Sequence, residues 1–191
     1  DRNSVDRDYF AVSAPSFLLE GSLSGAQRGI ATHTFMQYAD YSKAAENPEA
    51  EIERLKNMGI ITPQQAEGIN RNQVAEFFTS TLAKRILSSD TVMREKKFTI
   101  EIPISEMYEG FEQFSDELMM IQGIADCAFL ENGELIVVDY KTDRLDSEEL
   151  FREKYSAQVL LYKKALALCT GYNVKQTLLY SFHLGREIEV D

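Results

Sequence analysis

Two aspartates and a lysine in the stretch 123–143 have the residue types and spacing of a metal-assisted hydrolytic site. Asp126 lies among apolar residues, and Asp139 ends the apolar run 135–138, so both carboxylates are expected at the edge of a core. A carboxylate in such a place is costly unless it is paired or bound to a cation. Together with Lys141, the two aspartates are a candidate set for metal-assisted phosphodiester hydrolysis. An isolated Asp-x-Lys pattern is more often a solvated salt bridge, so the surrounding residues decide the interpretation.

A predicted β-hairpin brings these three residues together. Asn132 and Gly133 both tolerate the positive φ angles of a type I′ turn and stand between two apolar runs. If they are the two loop residues, the two aspartates lie directly opposite each other on one face of the hairpin. The two-residue period of a strand puts Lys141 on that face and Tyr140 on the other.

The composition restricts what else the chain could do. It has 191 residues, 44% hydrophobic and 27% charged, which is ordinary for a globular protein. A net charge of -11 is the wrong sign for holding nucleic acid by bulk electrostatics. The two cysteines, Cys127 and Cys169, are too few for a four-cysteine iron–sulfur cluster or a disulfide framework, and both are interpreted as small core residues.

The cysteine usage favours a reduced, cytoplasmic protein, and no apolar run reaches the roughly 20 residues that span a membrane. The chain opens abruptly at Asp1, so we expect a single domain, 1–191, excised from a longer polypeptide. Within it, 1–28 is an entry segment, 29–90 is helical, and 91–191 holds a sheet.

Hydrophobic periodicity predicts an α/β fold with a mixed central sheet flanked by helices. A polar loop, 105–117, could fold over the site. The predicted helices are 31–38, 49–58, 63–69, 72–87 and 150–169, with 40–48 as a linker, and the predicted strands are 91–104, 124–130, 135–141, 175–182 and 184–190.

Five residues outside the hairpin are further candidates. His33 follows Gly29 by one helical turn, although a lone histidine near a helix start is more often a capping or core residue. Glu95 precedes an alternating strand and is a surface acid in the simpler interpretation. Tyr155, Gln158 and Tyr162 share one helix face at spacings of three and four, which suits either packing or substrate contacts.

These signals occur in an order that resembles the RecB-type branch of the PD-(D/E)XK nuclease superfamily, and within it AddA-type nuclease domains of bacterial helicase–nucleases. The resemblance covers about residues 29–162 and rests on five weak motifs. They are Gly29-x-x-x-His33, Glu95 before an apolar strand, Gly123-x-x-Asp126, Asp139-Tyr140-Lys141 and Gln158-x-x-x-Tyr162.

The resemblance implies a restriction-endonuclease-like core and roles for these residues. His33, Asp126, Asp139 and the Tyr140 carbonyl would bind Mg²⁺, or Mn²⁺ as an alternative. Lys141 would orient the attacking water or stabilise charge on phosphorus. Glu95 would complete the acidic cluster, while Tyr155, Gln158 and Tyr162 would position DNA or brace the site.

The resemblance also implies partners. No phosphate-binding loop of the P-loop type is present, so nucleotide hydrolysis would belong to a helicase motor domain of the same chain, which would deliver single-stranded DNA, the 3′-ended strand. A second, AddB-like subunit would complete an enzyme that acts in double-strand-break repair by recombination. A stand-alone RecB-like phage or defence nuclease, and a catalytically inactive DNA-binding or assembly module, remain the alternatives.

Overall fold

A computed structural model describes residues 23–103, 105 and 117–190. Nearly all of the predicted loop 105–117 and most of the entry segment lie outside this part. The helices are α1 (Gly25–Tyr38), α2 (Tyr41–Glu46), α3 (Pro48–Asn57), α4 (Pro63–Gly68), α5 (Arg71–Thr79), α6 (Thr81–Leu87) and α7 (Glu148–Thr170). The strands are β1 (Val92–Pro103), β2 (Leu118–Glu131), β3 (Glu134–Lys141), β4 (Val174–Ser181) and β5 (Arg186–Glu189).

The five strands form one mixed sheet in the order β1-β2-β3-β4-β5. All neighbouring pairs are antiparallel except β3 and β4, which run parallel and are connected by α7. A parallel pair needs such a crossover, because its second strand must begin at the end of the sheet where the first began. The α/β prediction with a mixed sheet is therefore confirmed.

The central hairpin has the predicted register. Cys127 pairs with Val138, and the pairing continues to Glu131 and Glu134 at the turn. Both turn residues, Asn132 and Gly133, have positive φ angles, 54° and 82°. Extending this register by one position places the two aspartates opposite each other, as the sequence predicted.

The sheet separates two apolar layers. Alternate side chains of β3 pack on opposite faces of the sheet. The face covered by α1 to α6 has Ile136, Val138 and Tyr140, and the face covered by α7 has Leu135 and Val137. A strand buried on both faces explains the uninterrupted apolar run in the sequence. Since α7 and the helical layer cover opposite faces, groups at the carboxyl end of β3 can be reached from both. Among the described helices, none is long and apolar enough to cross a membrane.

Three boundaries predicted in the helical part were wrong, and a capping residue lies at each of them. The first helix begins at Gly25, where Ser24 and Gln27 form a capping box. The predicted linker 40–48 contains α2, whose first turn is capped by Asp40. The predicted helix 72–87 is broken at Ser80, which ends α5 and caps α6.

One cysteine prediction also failed. Cys127 is buried in β2 as expected, whereas Cys169 is exposed on α7. It lies in the last turn of α7, beyond Leu166 and Ala167, which belong to the apolar layer on the sheet.

A buried carboxylate joins two of the short helices. Glu51, only 2% exposed, accepts a hydrogen bond from the Asp40 backbone N–H at 2.6 Å and from Arg54 Nε at 2.8 Å. Burial raises the pKa of Glu51, but the Arg54 and Asp40 hydrogen bonds outweigh it, so the pKa is lowered overall. The carboxylate therefore stabilises the fold while it is ionised.

Glu51→Ala is expected to lower the free energy of unfolding by about 2 kcal/mol, because it leaves a buried N–H and a guanidinium unpaired. Glu51→Gln retains an acceptor and should lose less. Since the folded-state pKa is lowered, the advantage of wild type over Glu51→Gln should be full above the ordinary glutamate pKa of about 4.3 and vanish as the pH falls further. Urea unfolding at several pH values measures both effects, and a Glu51→Ala variant as stable as wild type would contradict the assignment.

Candidate metal centre

Three side chains from three elements converge at one end of the sheet. His33 from α1, Glu95 from β1 and Asp126 from β2 each present a ligand atom, and these atoms lie within 4.8 Å of one another. His33 Nδ1 is 3.5 Å from Asp126 Oδ2, and the same oxygen accepts a hydrogen bond from the Tyr140 N–H at 2.8 Å. The hydrogen bond fixes Asp126 to the carboxyl end of β3.

An irregularity in the pairing of β1 with β2 directs Glu95 towards His33 and Asp126. The ladder pairs Arg94 with Cys127 and Lys96 with Ala125, so Glu95 stands opposite Asp126 between them. Strand alternation would put Cys127 and Ala125 on one face, yet they belong to the apolar layers on opposite sides of the sheet. Glu95 has a φ of 49°, the left-handed region that non-glycine residues rarely adopt.

At Glu95 the backbone conformation is expected to reverse the usual order of stability of alanine and glycine variants in a strand. Glycine in a strand is ordinarily less stable than alanine by roughly 0.5–1 kcal/mol. At this left-handed position, Glu95→Gly is expected instead to exceed Glu95→Ala in free energy of unfolding by about 1 kcal/mol. Both variants remove the carboxylate, so the comparison isolates the backbone. Urea unfolding of both, with Thr99→Gly and Thr99→Ala on the same strand as the ordinary pair, tests it; the ordinary order at both sites would refute the strained conformation.

Asp139 is the most buried acid next to this cluster. It is 3% exposed, and its Oδ2 lies 2.7 Å from Lys141 Nζ, yet this oxygen accepts no hydrogen bond of good geometry from the described residues. Burial and the negative charge of Asp126 raise the Asp139 pKa, against the opposing effect of Lys141. Burial lowers the pKa of His33, but the hydrogen bond and charge of Asp126 raise it overall. A cation would relieve both the repulsion and the unsatisfied oxygen.

This donor set fits a hard divalent metal. Carboxylate oxygens with one imidazole suit Mg²⁺ or Mn²⁺, and no described cysteine belongs to the cluster. The structure thus brings together His33, Glu95 and Asp126 and places Asp139 beside them. The assignment of individual ligands, including the Tyr140 carbonyl, stays a prediction.

Of the three residues predicted on one face of α7, Gln158 and Tyr155 contact Lys141, and Tyr162 contacts Gln158. Lys141 Nζ donates to Gln158 Oε1 at 3.0 Å, and Gln158 Nε2 donates to the Tyr162 hydroxyl at 2.7 Å. The ammonium also lies 4.0 Å from the centre of the Tyr155 ring. Lys141 is therefore held from α7 on one side and by Asp139 on the other.

Two glycines permit the close approaches around the site. A Cβ on Gly29 would lie 2.8 Å from Thr142 Oγ1, so α1 can rest against the end of β3 and carry His33 to the cluster. A Cβ on Gly123 would collide with the Phe98 ring, which packs against Tyr162 with centroids 5.4 Å apart. Both motif glycines thus serve packing.

Sequence reasoning missed part of the surroundings. A groove of about 710 Å³ opens beside His33 and Glu95, and its lining includes Arg28 and Arg144. Each arginine lies next to a motif that was found, one residue before Gly29 and three after Lys141, but neither has a pattern of its own. Their nearness to each other depends on how α1 packs.

Comparison with known proteins gives a family and several relatives. The family model described as PD-(D/E)XK nuclease superfamily matches residues 10–187. Subunits of the AddA type, named as parts of an ATP-dependent helicase/nuclease, are similar to this protein. That of Acetivibrio thermocellus is 39% identical over 180 residues, covering 92% of this chain and 14% of the relative. The corresponding protein of Clostridium botulinum strain Hall is 38% identical over 93% of this chain and 14% of its own length.

A third relative of the same name, from Clostridium acetobutylicum, is 35% identical over 94% of this chain and 15% of its own length. The protein thus spans about one seventh of the curated relatives it matches. The resemblance to AddA-type proteins, predicted from five short motifs, is confirmed over most of the sequence. With a match over residues 10–187, a mixed sheet and an acidic cluster beside Asp139 and Lys141, the chain belongs to the PD-(D/E)XK nuclease superfamily.

Proposed function

We propose that this protein is a divalent-metal-dependent deoxyribonuclease that hydrolyses phosphodiester bonds in single-stranded DNA. The observation that carries the proposal is the convergence of His33, Glu95 and Asp126 next to a buried Asp139 and an ammonium held in place, in a member of a nuclease superfamily. A bound Mg²⁺ or Mn²⁺ would supply Lewis-acid activation of the phosphate and of an attacking water.

The residues of the site have distinct tasks in this proposal. Asp126 and Asp139, with His33 and the Tyr140 carbonyl, hold the metal, and Glu95 contributes directly or through water. Lys141 presents its ammonium to the attacking water or to the phosphate oxygens as charge develops on them. Asp126 is prepared for its task by the Tyr140 N–H, which occupies one of its oxygens and fixes the carboxylate.

We further propose that the protein works as the exonuclease part of a longer bacterial helicase–nuclease, in the cytoplasm. The support is the similarity to proteins named as ATP-dependent helicase/nuclease subunits, of which this sequence covers a small share. In that arrangement a motor in the same polypeptide delivers one strand, the 3′-ended one, and an AddB-like second subunit completes the enzyme. Repair of double-strand breaks by recombination is the process such an enzyme would serve.

Degradation of single-stranded DNA, labelled at one end or the other, tests the proposed activity. Wild type should cleave with Mg²⁺ or Mn²⁺ and not with chelator, and Asp126→Asn should be inactive. Asp146→Asn, which removes an exposed acid (side chain 93% exposed), should behave like wild type. The product ladders report polarity. If wild type does not cleave DNA and calorimetry detects no metal binding by it, the nuclease proposal fails and an inactive module is favoured.

Gln158 is proposed as a positioning residue for Lys141. Removing its amide in Gln158→Ala should lower kcat about tenfold, with little change in KM. Tenfold corresponds to roughly 1.4 kcal/mol, the typical contribution of one hydrogen bond to a charged group. Gln158→Glu retains an acceptor and should recover part of the rate; a change confined to KM would instead mark Gln158 as a substrate contact.

A further inference from the structure

The groove beside the metal centre is polar and has a basic wall. It is formed by α1, the junction of α4 and α5, and residues 142–144 at the end of β3. Arg28 and Arg144 contribute the basic groups, and Asn70 and Gln73 contribute side-chain amides. Its volume of about 710 Å³ lies within the range of clefts that hold ligands.

The groove has as many carboxylates as arginines, but its arginines are the more available to a ligand. Two carboxylates also line it, Glu95 and Asp143. Glu95 belongs to the metal cluster, and Asp143 lies 2.9 Å from Lys154, which forms an ion pair with it. Arg28 and Arg144 are both exposed, and neither side chain forms an ion pair within the described part of the molecule. Two arginines without such counterions therefore line the groove, although the protein as a whole has a net charge of -11.

The approach of the arginines to the site follows from the packing of α1. Gly29 places the helix against Thr142, so Arg28, its neighbour in sequence, and Arg144, two residues beyond Thr142, line the same groove. His33 is one helical turn beyond Gly29 on the same helix. An anionic polymer that lies in the groove therefore meets the arginines and then the metal centre.

We propose that this groove binds the sugar–phosphate backbone of the strand being cut, with Arg28 and Arg144 contacting phosphates next to the scissile one. This inference rests on the proposed function and assigns it a binding surface. A repeating phosphate polymer fits better than a protein segment, because the wall offers guanidinium groups and amides and it leads directly to a centre suited to phosphodiester chemistry. Asn70 and Gln73 can then donate from their side-chain amides to sugar or base oxygens.

The test compares Arg28→Gln/Arg144→Gln with a matched control, Lys84→Gln/Lys175→Gln. Both double variants remove two positive charges, but Lys84 is exposed on α6, and Lys175 is the second residue of β4, at the opposite end of the sheet from Lys141. Fluorescence anisotropy of a labelled oligothymidylate with Ca²⁺, over a range of salt concentrations, measures binding. The groove variant should bind at least tenfold more weakly. The slope of log binding constant against log salt concentration is negative, and its magnitude should decrease by about 1.4, since each single-strand phosphate contact contributes roughly 0.7. The control should stay within about twofold of wild type, as expected for charges that touch no phosphate.

Catalysis and metal titration separate this proposal from the nuclease proposal itself. The groove variant should bind metal like wild type in calorimetry and show a raised KM with nearly unchanged kcat under Mg²⁺. A groove variant that binds and cleaves DNA like the control overturns the groove assignment, leaves the nuclease intact and favours another occupant such as an acidic protein segment. A wild type without affinity for the oligonucleotide overturns it too, whereas a wild type that binds no metal overturns the proposed function.

Discussion

Asp139→Asn is expected to abolish metal-dependent cleavage, by about a thousandfold or more. The substitution retains the size of the side chain but removes the charge of a proposed metal ligand, the most buried acid beside the cluster. Lewis-acid stabilisation by a bound metal is worth several kcal/mol, and each 1.36 kcal/mol corresponds to tenfold in rate, so about 4 kcal/mol gives this magnitude. Calorimetry should show metal binding lost in parallel, and added metal should raise the melting temperature of wild type but not of the variant.

The same substitution should change how stability depends on pH when a chelator is present. Burial and Asp126 raise the pKa of Asp139 to about 6 in the folded protein, while an unfolded aspartate titrates near 3.9. An acid whose folded-state pKa is raised binds its proton more tightly in the native state, so ionising it destabilises the fold. Wild type should therefore lose stability relative to Asp139→Asn as the pH rises from about 4 to about 6, and the difference should stay constant above that.

Asp146→Asn is the control for both readouts, because Asp146 is almost fully exposed and outside the cluster. It should neither weaken metal binding nor alter the pH dependence. If Asp139→Asn retained metal affinity and the pH profile of wild type, Asp139 would be a partner of Lys141 alone. The ion pair at 2.7 Å would then be the whole explanation of its burial.

The central hairpin could be predicted from the sequence because its determinants are local. Asn132 and Gly133 fix the turn, and the turn fixes the register. Alternation then places Lys141 beside Asp139 and buries Tyr140 on the other face. A helix start with a strong capping signal was equally accessible: Thr62 was predicted as the N-cap before Pro63, and in the structure it forms a capping box with Gln65.

The rest depended on tertiary packing that no local pattern reports. Glu95 appeared as a surface acid because its left-handed backbone, which turns it towards Asp126, leaves no trace in an otherwise ordinary strand sequence. The meeting of His33 with Asp126 joins residues more than ninety positions apart. Resemblance to a family supplied both residues where physical reasoning on the sequence alone left them open.

At Ser80 the sequence pattern predicted one continuous helix where the structure has two. The apolar spacing from Val74 to Ile86 is compatible with one continuous helix, and a serine in a helix is only mildly unfavourable. In the structure Ser80 adopts an extended backbone, and its hydroxyl accepts a hydrogen bond from the Ala83 N–H. The break lets α5 turn Phe77 towards the sheet while α6 places Arg85 on Glu131.

Phe77→Ala is expected to give the largest loss of stability of any single change considered, about 4 kcal/mol, the typical cost of truncating a buried phenylalanine. Phe77 is fully buried at the centre of the helical layer. Its ring contacts five other aromatic rings with centroid distances from 4.8 to 6.1 Å: Tyr41, Phe78, Tyr140, Tyr180 and Phe182. Most of these are edge-to-face pairs, which add to the burial itself.

The cavity would open directly behind the metal centre, because Tyr140 lies between Asp139 and Lys141 in sequence and its ring, on the other face of β3, rests on Phe77 at 5.6 Å. The melting temperature should fall by roughly 8–16 °C, at 2–4 °C per kcal/mol for a protein of this size. Phe77→Leu retains most of the apolar volume and should lose less than half as much stability, while Tyr38→Ala, at an aromatic residue that is 49% exposed, should be nearly neutral.

Below its unfolding transition the Phe77→Ala variant should still bind metal, but more weakly, because Tyr140 donates the N–H that fixes Asp126. Unchanged metal affinity, with stability lowered as expected, would mean that the backbone of β3 holds the site without support from the aromatic layer.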